Sequence, residues 1–122
     1  MGFLRSNLSE YTVVRKNSKK KRVKLVFPSL SQAESYMSTI WLTNYGRATA
    51  KCQTDYYLAH GNGERYWRVT STISPHFTHV EPPPGYSAKQ TEYSAVSTCD
   101  AGVRGYAIVY GPSGAVALYD AK

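Results

Sequence analysis

The densest run of chemically able side chains lies near the start of the chain, where Arg15, Lys16, Lys19, Lys20, Lys21, Arg22 and Lys24 crowd together. Cations set this closely repel one another unless a polyanion or counterions screen them, so the chemistry they suit is neutralisation of phosphates. The bland alternative is a solvated loop that keeps the protein soluble. Lys19-Lys-Lys-Arg-Val-Lys24 also matches the short basic pattern of nuclear-import signals, which is common by chance.

A second group interleaves rings with guanidinium groups. Tyr56, Tyr57, Tyr66 and Trp67 flank the His60-Gly-Asn-Gly63 turn, with Arg65 and Arg68 beside them. Nucleic-acid bases stack on such rings while arginines hold the phosphates. Strand alternation separates the set, placing Trp67 with Val69 and Ile73 on a core side and Tyr66 with Arg68 on the other. The expected nucleic-acid contacts are therefore Arg15, Lys16, Lys19, Lys20, Lys21, Arg22, Lys24, Arg65, Tyr66 and Arg68.

A third group, His60, His76 and His79 with Glu64, Glu81 and Arg65, has the residue types for general acid–base cleavage of a phosphodiester. His76-Phe-Thr-His79 has a spacing that suits zinc if Glu81 or a cysteine joins it. Structural zinc sites show two close pairs of ligands, and here Cys52 and Cys99 stand far apart. The histidines are accordingly expected as partly exposed loop residues, with no catalytic residue, no metal and no cofactor assigned. No phosphate-cradling glycine loop, nucleophile elbow, kinase signature or paired-cysteine motif occurs.

The charge is unevenly placed. The 122 residues carry a formal net charge of +7, from 15 Lys and Arg against 8 Asp and Glu. Residues 1–30 hold eight of the bases and only Glu10 among the acids, so the whole excess falls there and the rest is neutral. If the early cations join Arg47, Lys51, Arg65 or Arg68 in one stripe, the binding surface is a groove; if they stand alone, it is a finger or a solubility device. The 42% hydrophobic content, with 11 Tyr, excludes a disordered tail, and the length suits one domain. No apolar run is long enough for a helical membrane span, and the opening residues lack a secretory signal, so a cytoplasmic or virion-associated protein is expected. Two cysteines are too few for a disulfide framework, and the favoured reading is a pair of buried free thiols, with a single bridge as the alternative.

Tyr11–Lys16 and Arg22–Phe27 read as the strands of a basic β-hairpin over 11–27, broken by Pro28. Ala33, Tyr36, Met37, Ile40 and Trp41 follow at i, i+3, i+4, i+7 and i+8 after two capping-box patterns, which predicts an amphipathic helix over about residues 30–43. Strands are expected over Ala48–Ala59, Glu64–Ile73 and Tyr93–Thr98, and a last hairpin over Gly105–Tyr119. Residues 74–90, with Pro75, Pro82, Pro83 and Pro84, read as a long loop. The fold expected is α+β, a mainly antiparallel sheet with one helix packed on a face.

These features suit a small nucleic-acid-binding accessory protein of phage, plasmid or viral type, contacting phosphates with low sequence specificity. The alternatives are a coat or virion assembly protein whose basic hairpin faces packaged genome, with homo-oligomer contacts through its Tyr-rich sheet, and an inhibitor or effector of one protein partner that would use residues 74–90. A further alternative is a small nuclease using His60, Glu64 and His76.

Overall fold

A computed structural model describes residues 21–32, 36–81 and 91–122. The expected helix is absent: every regular element among these residues is a strand, and the fold is all-β rather than α+β. In chain order the strands are β1 (Arg22–Gln32), β2 (Met37–Asn44), β3 (Ala50–Leu58), β4 (Trp67–Ile73), β5 (Thr78–Glu81), β6 (Thr91–Asp100), β7 (Val103–Gly111) and β8 (Gly114–Asp120).

The residues expected as helix form the end of β1 and most of β2. Within β2, Ser38, Ile40, Leu42 and Asn44 are buried while Met37, Trp41 and Thr43 on the other side are not, an alternation of period two that only the covered Thr39 interrupts. Both faces carry large apolar residues, so the stripe that mimics a helix is drawn from the two sides of a strand. Thr39, Ile40 and Thr43 are β-branched, and their local preference agrees with the sheet.

All pairings are antiparallel and make two sheets. Sheet one runs β8–β7–β2–β5 and sheet two runs β1–β6–β3–β4. The sheets meet at one corner, where Gln32 lies opposite Met37. Along the same side Val26 exchanges two backbone hydrogen bonds with Lys122, and Ala121 donates to the Gly105 carbonyl. β1 reaches past Pro28 by means of an irregularity in its pairing with β6 between Phe27 and Leu30, so the proline bends the strand without ending it. The expected partner strand over residues 11–16 lies outside the described residues. Within the proline-rich stretch 74–90, Thr78–Glu81 is a strand, paired with Ile40–Thr43.

Phe27 and Leu30 of β1, Ile40 and Leu42 of β2, Tyr56 of β3, Ile73 of β4, Tyr93 of β6 and Ala107 of β7 fill the space between the sheets. Burying side chains of this kind contributes roughly 1.5–3 kcal/mol each. Gly105 marks the tightest point: a Cβ there would meet Leu42, Phe27 and Leu25 side-chain atoms at 3.0–3.2 Å. Two connections cross between the sheets side by side. Gly102, with φ +100°, turns β6 into β7, and a Cβ on it would lie 3.2 Å from the backbone of Gly46 in the β2–β3 link. Asn44, wholly buried, ties this crossing together: its Nδ2 donates to the carbonyls of Ala48 and Ile73, both at 2.9 Å, and its Oδ1 accepts from Gly46 N–H at 2.8 Å.

Cys52 and Cys99 form a disulfide between β3 and β6, which corrects the expectation of free thiols. Their Cα atoms are 4.1 Å apart because the two residues are direct partners in the register, and both side chains point into the core. No sequence spacing announces this, since 47 positions separate them.

Candidate nucleic-acid interface

The outward side of sheet two is built by strand alternation. With Val23, Leu25 and Phe27 turned inward, Arg22 and Lys24 of β1 face out; with Cys52, Thr54 and Tyr56 turned inward, Lys51, Gln53 and Asp55 of β3 do the same. The register aligns Lys24, Thr98, Gln53 and Thr70 in one row across the four strands. The neighbouring row brings Arg22, Asp100, Lys51 and Thr72 together. At strand spacings of about 4.8 Å, the Arg22 and Lys51 backbones lie roughly 10 Å apart.

Asp100 organises this end of the sheet. Its Oδ2 accepts the Lys51 backbone N–H at 2.9 Å, and its Oδ1 lies 3.9 Å from Nε of Arg22. Arg22 remains half exposed. Lys21 and Arg47 line a hollow of about 300 Å³ beside Asp100 and Ala101, and the Ala101 N–H donates to the Lys21 carbonyl. Lys21, Arg22, Arg47 and Lys51 thus lie around one acid, Asp100, and Lys24 stands one row further along the same side of the sheet. A shallow depression of about 480 Å³ next to them is lined by Arg22, Lys51, Gln53, Thr70 and Thr72, which offers hydroxyl and amide groups beside the cations.

The other expected contacts are placed differently. Arg15, Lys16, Lys19 and Lys20 lie outside the described residues. Arg68 is on the outward side of β4, yet its guanidinium is engaged by Asp55, with Nε–Oδ1 at 2.6 Å and Nη2–Oδ2 at 3.3 Å. That bond raises the Arg68 pKa above its ordinary value, and the pairing leaves this arginine less free for phosphate than Lys51 or Lys24. Arg65 and Tyr66 are exposed in the β3–β4 connection, at the far end of the sheet from Arg22. Six residues of strand, roughly 20 Å, separate that end from Thr72. Trp67, expected in the core, is 49% exposed because it opens an edge strand.

The histidines are not brought together. His60 is exposed in the β3–β4 connection, His76 is exposed in the turn before β5 with φ 67°, and His79 on β5 turns inward. No group of three or more His, Cys, Asp or Glu is placed to hold a metal ion among the described residues.

His79 belongs instead to a polar cluster inside the sandwich. Glu81 on β5 is buried and accepts a 2.7 Å hydrogen bond from the Tyr56 hydroxyl and a 3.3 Å bond from Thr54 Oγ1. Thr54 Oγ1 also lies 2.7 Å from Ser97 Oγ, and His79 Nε2 is 3.4 Å from Glu81 Oε2. Burial holds the Glu81 carboxyl above the usual carboxylate range, against the lowering effect of its hydrogen bonds. Burial and the neighbouring carboxyl push the Tyr56 hydroxyl well above an ordinary phenol, and burial does the same to Tyr93. This cluster bonds β5 to β3 across the two sheets.

The fold is similar to that in the crystal structure of Thermotoga maritima 1070, with a TM-score of 0.64 and 15% sequence identity over 88% of this chain and 96% of that one. At that identity the likeness speaks for the fold alone. No protein-family model matches the sequence, and no curated protein matches it. Among the described residues, no helix is long and apolar enough to cross a membrane.

Proposed function

We propose that the protein binds the phosphate backbone of nucleic acid on the outward side of sheet two, with low sequence specificity. The observation that carries this reading is the set of cations Lys21, Arg22, Arg47 and Lys51 around one acid, Asp100, with Lys24 one row along on the same side of the sheet. A sheet face bearing cations, Thr70, Thr72 and Gln53 suits an extended polyanion, which makes many weak charge contacts and needs no deep pocket. Few of these side chains can present a paired donor–acceptor edge to a base, so affinity would depend on charge more than sequence.

The Cys52–Cys99 disulfide supports a working place in oxidising surroundings, because bridges of this kind seldom persist in a reducing cytosol. It favours a virion or an extracytoplasmic site over the cytoplasm.

The test is fluorescence anisotropy with labelled single- and double-stranded oligonucleotides. Replacing Lys21, Arg22, Lys24 and Lys51 by Gln abolishes binding at moderate salt in this account, while Arg68→Gln changes it little. Equal affinity of the quadruple variant and the wild type overturns the proposal.

A further inference from the structure

The outward side of sheet one has the opposite character. The register places Val80, Trp41 and Tyr106 in one row, with Ile108 and Leu118 in the next and Met37 beyond. Trp41 and Tyr106 stack with ring centroids 6.0 Å apart at the middle of the patch. Leu118 is 62% exposed, and Met37 and Val80 are each 41% exposed. A contiguous apolar surface of this kind marks an interaction site.

Several polar atoms on this side are bonded within it. Trp41 Nε1 donates to Thr39 Oγ1 at 2.9 Å, and that hydroxyl donates to the Ile108 carbonyl at 3.3 Å. Thr43 and Thr78 hydroxyls bond each other at 2.8 Å. Covering the middle of the patch therefore leaves the Trp41, Thr39, Thr43 and Thr78 donors paired, which lowers the cost of drying it.

Charge selects which partner. The patch carries one cation, Arg104, on β7 and one anion, Asp120, on β8, both outward by register. Arg104 also lies over the Tyr45 ring at 5.9 Å, at the rim. A surface holding one charge of each sign is complementary to itself, as a two-fold contact requires. The chain as a whole carries +7, so copies that approach through sheet two repel, whereas copies that meet through sheet one keep their basic sides apart.

We infer that the outward side of sheet one is a two-fold interface between copies of this chain, with Arg104 of each copy facing Asp120 of the other. Four strands and four rows give a footprint of roughly 400 Å² per copy before the rim is counted. That is about half the area per partner of a standard stable interface, so the dimer is a weak one that forms reversibly as concentration rises. The dimer presents its two basic sides in opposite directions, so one dimer engages two nucleic-acid segments.

The experiment is sedimentation equilibrium of the full chain across about 1 to 300 μM, without nucleic acid, so that its outcome is independent of the binding proposal. The wild type shifts with concentration from 13.6 kDa toward twice that mass. Leu118→Glu, at an exposed position that the fold does not need, weakens dimerisation about tenfold or more with an unchanged circular dichroism spectrum. Arg104→Glu weakens it as well, and adding Asp120→Arg to that variant restores it. A wild type of 13.6 kDa at every concentration overturns the inference, as does a dimer that Leu118→Glu leaves intact.

Discussion

Reducing the Cys52–Cys99 bridge tests how the two-sheet architecture is stabilised. The cysteines are already direct neighbours in the β3–β6 ladder, so breaking the bond leaves the folded register in place and acts mainly on the unfolded chain. With 47 positions between the cysteines, the loop-closure entropy released on reduction amounts to about 4 kcal/mol at 25 °C in the chain-entropy estimate. For a domain of this size that is roughly a 15 °C fall in Tm. With a urea slope near 2 kcal/mol per molar, the midpoint moves down by about 2 M. The assay is urea denaturation with and without reductant, beside a Cys52→Ala/Cys99→Ala variant that should follow the reduced protein. The oxidised form should also show the smaller slope, because its unfolded chain stays more compact. Coincident curves for oxidised and reduced protein, or two thiols titrating in the unreduced protein, would refute the reasoning.

Three further outcomes follow from the interior. Asn44→Ala removes three hydrogen bonds at the sheet crossing and leaves buried carbonyls bare, which should cost about 3 kcal/mol by denaturant midpoint; a loss under about 1 kcal/mol contradicts the clamp. The folded protein holds the Glu81 proton more tightly than the unfolded chain, so that contribution to stability is full below the ordinary carboxyl range near pH 4.3 and declines as pH rises through the raised folded value. Glu81→Gln should flatten the wild-type decline in urea midpoint between pH 4 and pH 8, and parallel profiles would count against the buried carboxyl. Tyr56 and Tyr93 are raised in the same sense, so stability should fall once pH passes about 10, where unfolded tyrosines ionise, and Tyr56→Phe should soften that fall.

Much of the sheet was legible as alternation. Cys52, Thr54 and Tyr56 against Lys51, Gln53 and Asp55, and Val69, Ser71 and Ile73 against Arg68, Thr70 and Thr72, are strands whose two sides differ in polarity. The β7–β8 hairpin was equally plain. β2 was not, because its outward side is nearly as apolar as its inward side, and a strand with two apolar sides can reproduce helical spacing. The same outward apolar residues form the inferred dimer interface. β5 is short and lies among prolines, and only its pairing with β2 makes it a strand. Arg22 and Lys24 were readable as charged positions on an alternating strand, whereas their meeting with Lys51 and Arg47 depends on the register of β1, β6 and β3. The disulfide was hidden for the same reason, being a product of strand pairing and not of spacing.

The salt dependence of nucleic-acid affinity tests the central proposal most directly. If the five gathered cations neutralise about five phosphates of a duplex, log Kd should rise with log salt with a slope of roughly 4 to 5, and Lys24→Gln/Lys51→Gln should lower that slope by about 2. A flat dependence on salt, or a slope that the double variant leaves unchanged, would contradict the account.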